Sequence, residues 1–157
     1  MISIIMGVHN GAKTLEKSIK SVLSTTADIE FIICDDASTD ETFAILDSFA
    51  KEDKRIIITK NTSNMGLAHS LNKCLKLAQG EFIARQDADD VSREDRFDAQ
   101  VDFLNNNPEY DFVGSAVRLV NEGEVWGIRS FPSIVDKALI AKYNPFVHPT
   151  LMFRRKA

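Results

Sequence analysis

Three carboxylates in four positions, Asp87, Asp89 and Asp90, follow a short apolar run at Glu81 to Ala84. Acids packed this closely repel one another, so a cation is their natural complement. Carboxylate oxygens suit hard divalent ions such as Mg²⁺ or Mn²⁺, which keep several waters and bridge protein carboxylates to substrate phosphates. From these residues alone an equally weighted reading is a solvated acidic loop, in which Asp90 and Ser92 favour the dipole of the following helix. A second acidic pair, Asp35-Asp36, ends an earlier apolar run. Asp36 there can accept a hydrogen bond from a nucleobase N–H such as N3–H of uracil, or it can help Ser38 and Asp40 start the next helix. A third polar cluster, Val8-His9-Asn10-Gly11, closes the first apolar run. Asn64 and Gly66 admit two roles as well, a close backbone approach to a ligand or a plain helix-start turn. His9 and His69 read as scaffold or surface residues, because no His/Cys cluster surrounds either. His148 either lines a pocket or sits in an ordered turn.

The elements that must position these clusters are short apolar runs alternating with longer amphipathic stretches, the pattern of βα units building a mostly parallel sheet covered by helices. Ile2 to Val8 leads into a helix with Leu15, Ile19, Val22 and Leu23 on one face. Ile29 to Cys34 leads into Asp35 to Glu41, where Ser38 and Glu41 have capping-box spacing before a helix that buries Ile45, Leu46 and Phe49. Arg55 to Thr59 precedes a polar loop and a helix with Leu67, Leu71, Cys74, Leu75 and Ala78, and Gly80 reads as its C′ residue. Glu81 to Ala84 precedes the acidic loop and a helix carrying Phe97, Val101 and Leu104, with Ser92 and Asp95 as candidate caps. Beyond Asn105-Asn106-Asn107-Pro108 the pattern turns to β, over Phe112 to Val120 and Glu124 to Ser130. Asn121-Glu122-Gly123 joins the two as a hairpin, and a short helical pattern follows near Val135 to Ala141. In an open parallel sheet ligands bind beyond the carboxyl ends of the strands, so the three polar clusters are expected to converge on one edge.

Composition narrows the function classes. With 157 residues, 44% of them hydrophobic, the chain can bury a real core. The formal net charge of −4, with both signs interspersed, gives no electrostatic reason to expect nucleic acid as a partner. The two cysteines, Cys34 and Cys74, lack metal-type spacing and read as reduced core residues, which suits a cytoplasmic compartment. No apolar run reaches the ~20 residues of a membrane span, and Met1 runs directly into the first strand without a leader pattern. There is no G-x-G-x-x-G after the first strand, no G-x-x-x-x-G-K-[ST] and no G-x-S-x-G, which argues against dinucleotide oxidoreductases, P-loop enzymes and elbow-type hydrolases.

Taken together and in order, several segments resemble family 2 glycosyltransferases, more narrowly the bacterial members that build surface polysaccharides. They are Ser3 to Asn10, Ser18 to Leu23, Ile33 to Thr42, Asn64 to Leu67, Gln86 to Asp90 and Asn144 to Thr150. The resemblance covers nearly the whole chain. It implies an α/β fold of the GT-A type, a Rossmann-like three-layer α/β/α sandwich with a mostly parallel central sheet. It further implies a nucleoside-diphosphate sugar as donor, often UDP-linked, and a divalent metal, Mn²⁺ or Mg²⁺. Carried over residue by residue, Asp36 holds the base and Val8 and Asn10 line the nucleoside pocket. Asn64 and Gly66 lie near the nucleotide, Asp87 approaches the ribose or the metal, and Asp89 coordinates the metal.

The chemistry so implied is a single in-line displacement at the anomeric carbon, with inversion, onto a glycan or lipid-linked acceptor. It is set at the inner face of the membrane, where the whole protein associates peripherally. Residues 1–115 correspond to the nucleotide-sugar-binding half and 116–157 to the start of an acceptor-side half that reads as incomplete. Two features depart from the family pattern. His9 stands where tyrosine is common, and no acidic residue follows Asp136, so the general base is expected downstream of Ala157 and the chain alone is expected to bind donor but transfer sugar poorly. The competing expectation is a non-catalytic nucleotide-binding or interaction module of the same fold. A nucleotidyltransferase is disfavoured, because the chain lacks a Gly-rich, Arg/Lys-bearing N-terminal loop.

Overall fold

The computed structural model describes all residues except 122, 131, 133, 136 and 157, and the backbone alone of 137 and 140. Glu122 of the hairpin connection and Asp136, the last acid in the chain, lie outside the described residues. The elements run in the order β1 (Ile2–Val8), α1 (Leu15–Leu23), β2 (Ile29–Asp35), α2 (Thr42–Glu52), β3 (Ile56–Lys60), α3 (Leu67–Leu77), β4 (Phe82–Arg85) and α4 (Arg96–Asn106). They continue with β5 (Phe112–Val113), β6 (Val117–Asn121), β7 (Glu124–Arg129), α5 (Lys137–Lys142), a 3₁₀ turn (His148–Thr150) and β8 (Met152–Arg154).

The main sheet has the strand order β3-β2-β1-β4-β8-β5. Its first four strands are parallel, with Val8 opposite Asp35 and Ile5 opposite Arg85, and β8 lies antiparallel between β4 and β5. Alternation along the strands divides the core into two faces. Ile4, Met6, Phe31 and Ile33 pack with Leu15, Ile19, Val22, Leu46, Phe97 and Leu104 of α1, α2 and α4. Ile5, Ile32, Cys34 and Ile83 pack with Cys74 and Ala78 beside α3. The result is the expected α/β/α sandwich, and both cysteines are free and buried within it. Burial of each large apolar side chain such as Phe31 or Ile19 contributes roughly 1.5–3 kcal/mol.

Local features of the sequence pattern resolve differently. The Ser38–Glu41 capping box does not form. Asp40 Oδ1 accepts the Thr42 N–H at 3.0 Å and Glu41 makes no capping bond, while Ser38 Oγ is taken by the Asn10 N–H at 2.9 Å. Long-range loop packing outcompetes the local box. Asp95 occupies the N-cap position of α4 without a side-chain cap bond, and Ser92 turns to Gln86 instead. Gly80 is not a left-handed C′ residue, since among the described glycines only Gly66 and Gly123 have positive φ. Gly80 is instead a close approach: a Cβ there would lie 2.5 Å from the Ser3 nitrogen, and its N–H donates to Ser3 Oγ at 2.7 Å. The β pattern at 112–120 splits into β5, which joins the main sheet, and β6, which pairs only with β7 in the expected hairpin. The sheet position of β8, 67 residues after β4 in the chain, follows no local pattern.

Candidate functional site at the carboxyl edge of the sheet

The crossover from β1 runs one way to β2, and the crossover from β3 runs back the other way past β2 and β1 to β4, so the carboxyl ends of β1 and β4 flank the point where strand order reverses. In open α/β sheets that crevice is where ligands bind. The β1–α1 loop spans it. Asn10, at a left-handed φ of 53° that asparagine tolerates, accepts the Thr39 N–H at 2.8 Å through Oδ1. The Gly11 N–H donates to Thr42 Oγ1 at 2.8 Å and the Ala12 N–H to Asp40 Oδ2 at 3.2 Å. On its other side Gly11 abuts the acidic loop, for a Cβ there would stand 3.6 Å from Cβ of Ala88. Sequence clusters 25 to 80 residues apart are therefore joined through one loop.

Asp36 is only 4% exposed, and both oxygens of its carboxylate accept hydrogen bonds. Oδ1 accepts Asn61 Nδ2–H at 2.7 Å and the Met65 N–H at 2.9 Å, and Oδ2 accepts the Gly66 N–H at 2.8 Å. Burial would raise its pKa, but these bonds, with Ser70 adding to them, hold it below the usual carboxylate range. Asp36 thus clamps the Asn61–Gly66 loop onto the end of β2. Gly66 caps α3 at a φ of 85°, which a side chain adopts only with strain, and Asn64 Oδ1 also accepts its N–H at 3.1 Å. Ala37 follows Asp36 at a φ of 56°, strained for alanine by about 1 kcal/mol. Val8 is buried, and its carbonyl accepts the Asp36 N–H at 2.8 Å. His9 Nδ1 lies 2.8 Å from the Asp36 carbonyl oxygen, beside the same edge.

Across the crevice, Asp87, Asp89 and Asp90 bring one carboxylate oxygen each within 4.8 Å of the others. Asp87 is half-buried and paired with Arg85, whose Nη2 donates to Oδ1 at 2.7 Å. Arg85 Nε and Nη1 are buried with no acceptor among the described residues. Burial pushes the pKa of Asp87 up; Arg85 opposes this, the charge of Asp89 adds to it, and His148 opposes it. Burial likewise raises Asp90, reinforced by the charges of Asp89 and Asp87. An all-oxygen donor set of three crowded carboxylates fits a hard divalent cation, with Asp87 and Asp89 as its candidate ligands and Asp90 alongside.

Of the residues singled out from sequence, Asn10, Asp36, Asn64 and Gly66 fall on the β1–β2 side of the crevice and Asp87 and Asp89 on the β4 side. His148 approaches Asp87, and its ring Nε2 contacts the Asn144 amide. Sequence reading missed Asn61, Arg85 and Arg96. Only Arg85 carried a signal, a cation ending β4 two residues before Asp87 and so within reach of its carboxylate.

The fold is that of a GT-A-type α/β protein. TarS of S. aureus, in complex with UDP-GlcNAc, superposes with a TM-score of 0.78 over 98% of this chain and 45% of its own, at 21% identity. The mannosyltransferase PcManGT of Pyrobaculum calidifontis, in complex with GDP-Man and Mn²⁺, has a TM-score of 0.69 over 75% of this chain and 35% of its own, at 25% identity. The sequence matches the description "Glycosyl transferase family 2" over residues 3–157, and the chain belongs to that family. It is 43% identical over 158 residues to EpsE of Bacillus subtilis, covering 99% of this chain and 57% of that protein. It is 32% identical over 156 residues to WfaP of Escherichia coli, a UDP-Glc:alpha-D-GlcNAc-diphosphoundecaprenol beta-1,3-glucosyltransferase, covering 99% of this chain and 61% of that one. The chain therefore spans little more than half the length of these curated relatives.

Proposed function

We propose that this chain is the donor-binding part of an inverting glycosyltransferase that uses a nucleoside-diphosphate sugar, UDP-linked, and a divalent metal. The observation that carries the reading is the meeting of two unlike acidic sites across one crevice. Asp36 is held below the usual carboxylate range by hydrogen bonds, whereas Asp87, Asp89 and Asp90 crowd together, with Asp87 and Asp90 raised above it. The first suits a neutral base edge and the second a metal with diphosphate.

In this reading Asp36 receives the base N–H on its remaining lone-pair directions, with Val8 and Asn10 walling the nucleoside. Asn64 and Gly66 present the loop that Asp36 clamps. Asp87 approaches the ribose or the metal, and Asp89 is the principal metal ligand. A bound Mn²⁺ or Mg²⁺ would offset the charge on the departing diphosphate. The UDP-sugar preference and a glycan or lipid-linked acceptor draw support from the WfaP likeness. Residues 1–115 form the donor half and 116–157 begin the acceptor side, with β8 lending its strand to the donor half's sheet. No residue of 1–157 is assigned the general base, so sugar transfer, and association with the inner face of the membrane, are proposed of the whole protein. No described helix is long and apolar enough to cross a membrane.

Calorimetric titration of UDP with Mn²⁺ and then with EDTA tests the reading, on the wild type, Asp89→Ala and Asp36→Ala. Metal-dependent binding weakened by both substitutions is expected. A folded wild type that binds no nucleotide would favour a non-catalytic module of the same fold.

A further inference from the structure

Arg96, the first residue of α4, bonds both to the end of β4, where the acidic loop begins, and to the 3₁₀ turn at His148–Thr150. Every guanidinium nitrogen is engaged. Nε donates to Gln100 Oε1 at 3.2 Å, Nη1 to Gln86 Oε1 and Ser92 Oγ at 2.9 Å each, and Nη2 to the carbonyls of Arg85 and Pro149 at 2.8 Å each. Its partners pass the constraint on. Gln86 is buried, and Ser92 Oγ–H donates to its Oε1 at 2.7 Å, which fixes the amide orientation. Gln86 Nε2 then donates to the Asp90 carbonyl at 2.9 Å and the Asp87 carbonyl at 3.2 Å, gripping the acidic turn at both ends. Ser18 Oγ holds the Asp87 carbonyl from α1 at 2.9 Å, and Gln100 Nε2 holds the Thr150 carbonyl at 2.7 Å.

No carboxylate pairs directly with Arg96 among the described residues. Desolvation pulls its pKa down to about 10, with the field of Asp90 opposing. A guanidinium placed this way, its fork spent on carbonyls and amides, fixes backbone shape more than it neutralises charge. The backbone it fixes bears Asp87 and Asp90.

We propose that Arg96 is a positioning residue for donor binding: acting through Gln86 and Ser92, it sets the shape of the Asp87–Asp90 turn that a divalent cation requires and ties that turn to residues 149–150. The inference rests on the acidic loop being the metal–diphosphate site. Partners that orient metal ligands from behind are worth roughly 10–100-fold in metal affinity.

The test is Mn²⁺ binding by electron paramagnetic resonance in the presence of UDP, with uridine binding and thermal unfolding measured on the same samples. The variants are Arg96→Lys, which keeps the charge but loses the fork, and Ser92→Ala, a one-atom deletion that leaves the core intact. Arg96→Lys is expected to weaken Mn²⁺ binding by at least about tenfold and Ser92→Ala by a smaller factor, while uridine, held near Asp36, binds as before. A purely structural role would lower the unfolding temperature and leave the Mn²⁺ affinity of the folded fraction unchanged. That result in both variants, or in Ser92→Ala alone should Arg96→Lys not fold, overturns the inference. A wild type that binds uridine and UDP without any dependence on Mn²⁺ overturns the metal reading, and this inference with it.

Discussion

Asp36 and the pair Asp87 and Asp90 show how one residue type acquires opposite behaviour from its surroundings. Asp36 collects three strong donors and sits below the usual carboxylate range despite burial. Asp87 and Asp90 are desolvated beside Asp89 and sit above it. The linkage signs follow. Asp36 stabilises the fold at pH values above the unfolded carboxylate pKa of about 4, and that contribution is lost as pH falls through its lower folded value. Asp87 and Asp90 bind protons more tightly folded than unfolded. Their ionisation therefore costs stability, a cost relieved as pH falls through their raised folded values. Metal binding requires these carboxylates deprotonated. Acidification should therefore begin to weaken Mn²⁺ binding before it loosens the Asp36 clamp. Mn²⁺ binding without nucleotide, followed by resonance from about pH 7 downward beside far-UV circular dichroism, checks the order. Simultaneous loss of metal and fold would count against it.

Among the elements, Gly80 carries the clearest expectation. Gly80→Ala would drive a methyl to 2.5 Å from the Ser3 nitrogen and 2.9 Å from the Ile2 carbonyl carbon, both backbone atoms of the central strand. The strain, with disturbance of the Ser3–Glu30–Gly80 hydrogen bonds, should cost about 2–3 kcal/mol in urea unfolding. A cost below about 0.5 kcal/mol would mean that the β4 approach to β1 shifts freely. The same glycine marks the limit of what periodicity conveys. The four βα units were legible because each strand is a continuous apolar run and each helix has one apolar stripe. The acidic loop was legible because like charges that close together require a reason. Gly80's contact, the replacement of the Ser38–Glu41 box by an Asn10 bond, the Arg96 network and the insertion of β8 beside β4 all involve partners 28 to 77 residues away or spread over several elements. No local period encodes such distances; only the assembled sheet brings them together.

For the molecule as a whole, the asymmetry between its two sheets has a physical consequence. The main sheet is covered by helices on both faces, whereas β6 and β7 form a two-stranded sheet of their own, a unit marginal in water without packing. Their register slips between Leu119 and Val120, opposite Trp126, and this bulge increases the local twist. Trp126 is 69% exposed and Ile128 71%, and the cross-strand pair Val120 and Val125 is exposed as well. Apolar side chains on a ribbon whose outer edges pair with no described strand favour edge or face contact with a second copy. The isolated chain is therefore expected to self-associate as its concentration rises. Trp126→Ser combined with Ile128→Thr should suppress this in a light-scattering concentration series, without changing Mn²⁺-dependent UDP binding, because the donor site is built at the ends of β1, β2 and β4. Threonine keeps the β-branching that strand 128 favours, so the hairpin itself should survive the change. A wild type that stays monomeric throughout the series would show that the hairpin's own twist protects its surface. A double variant that associates as the wild type does would move the contact elsewhere on the molecule.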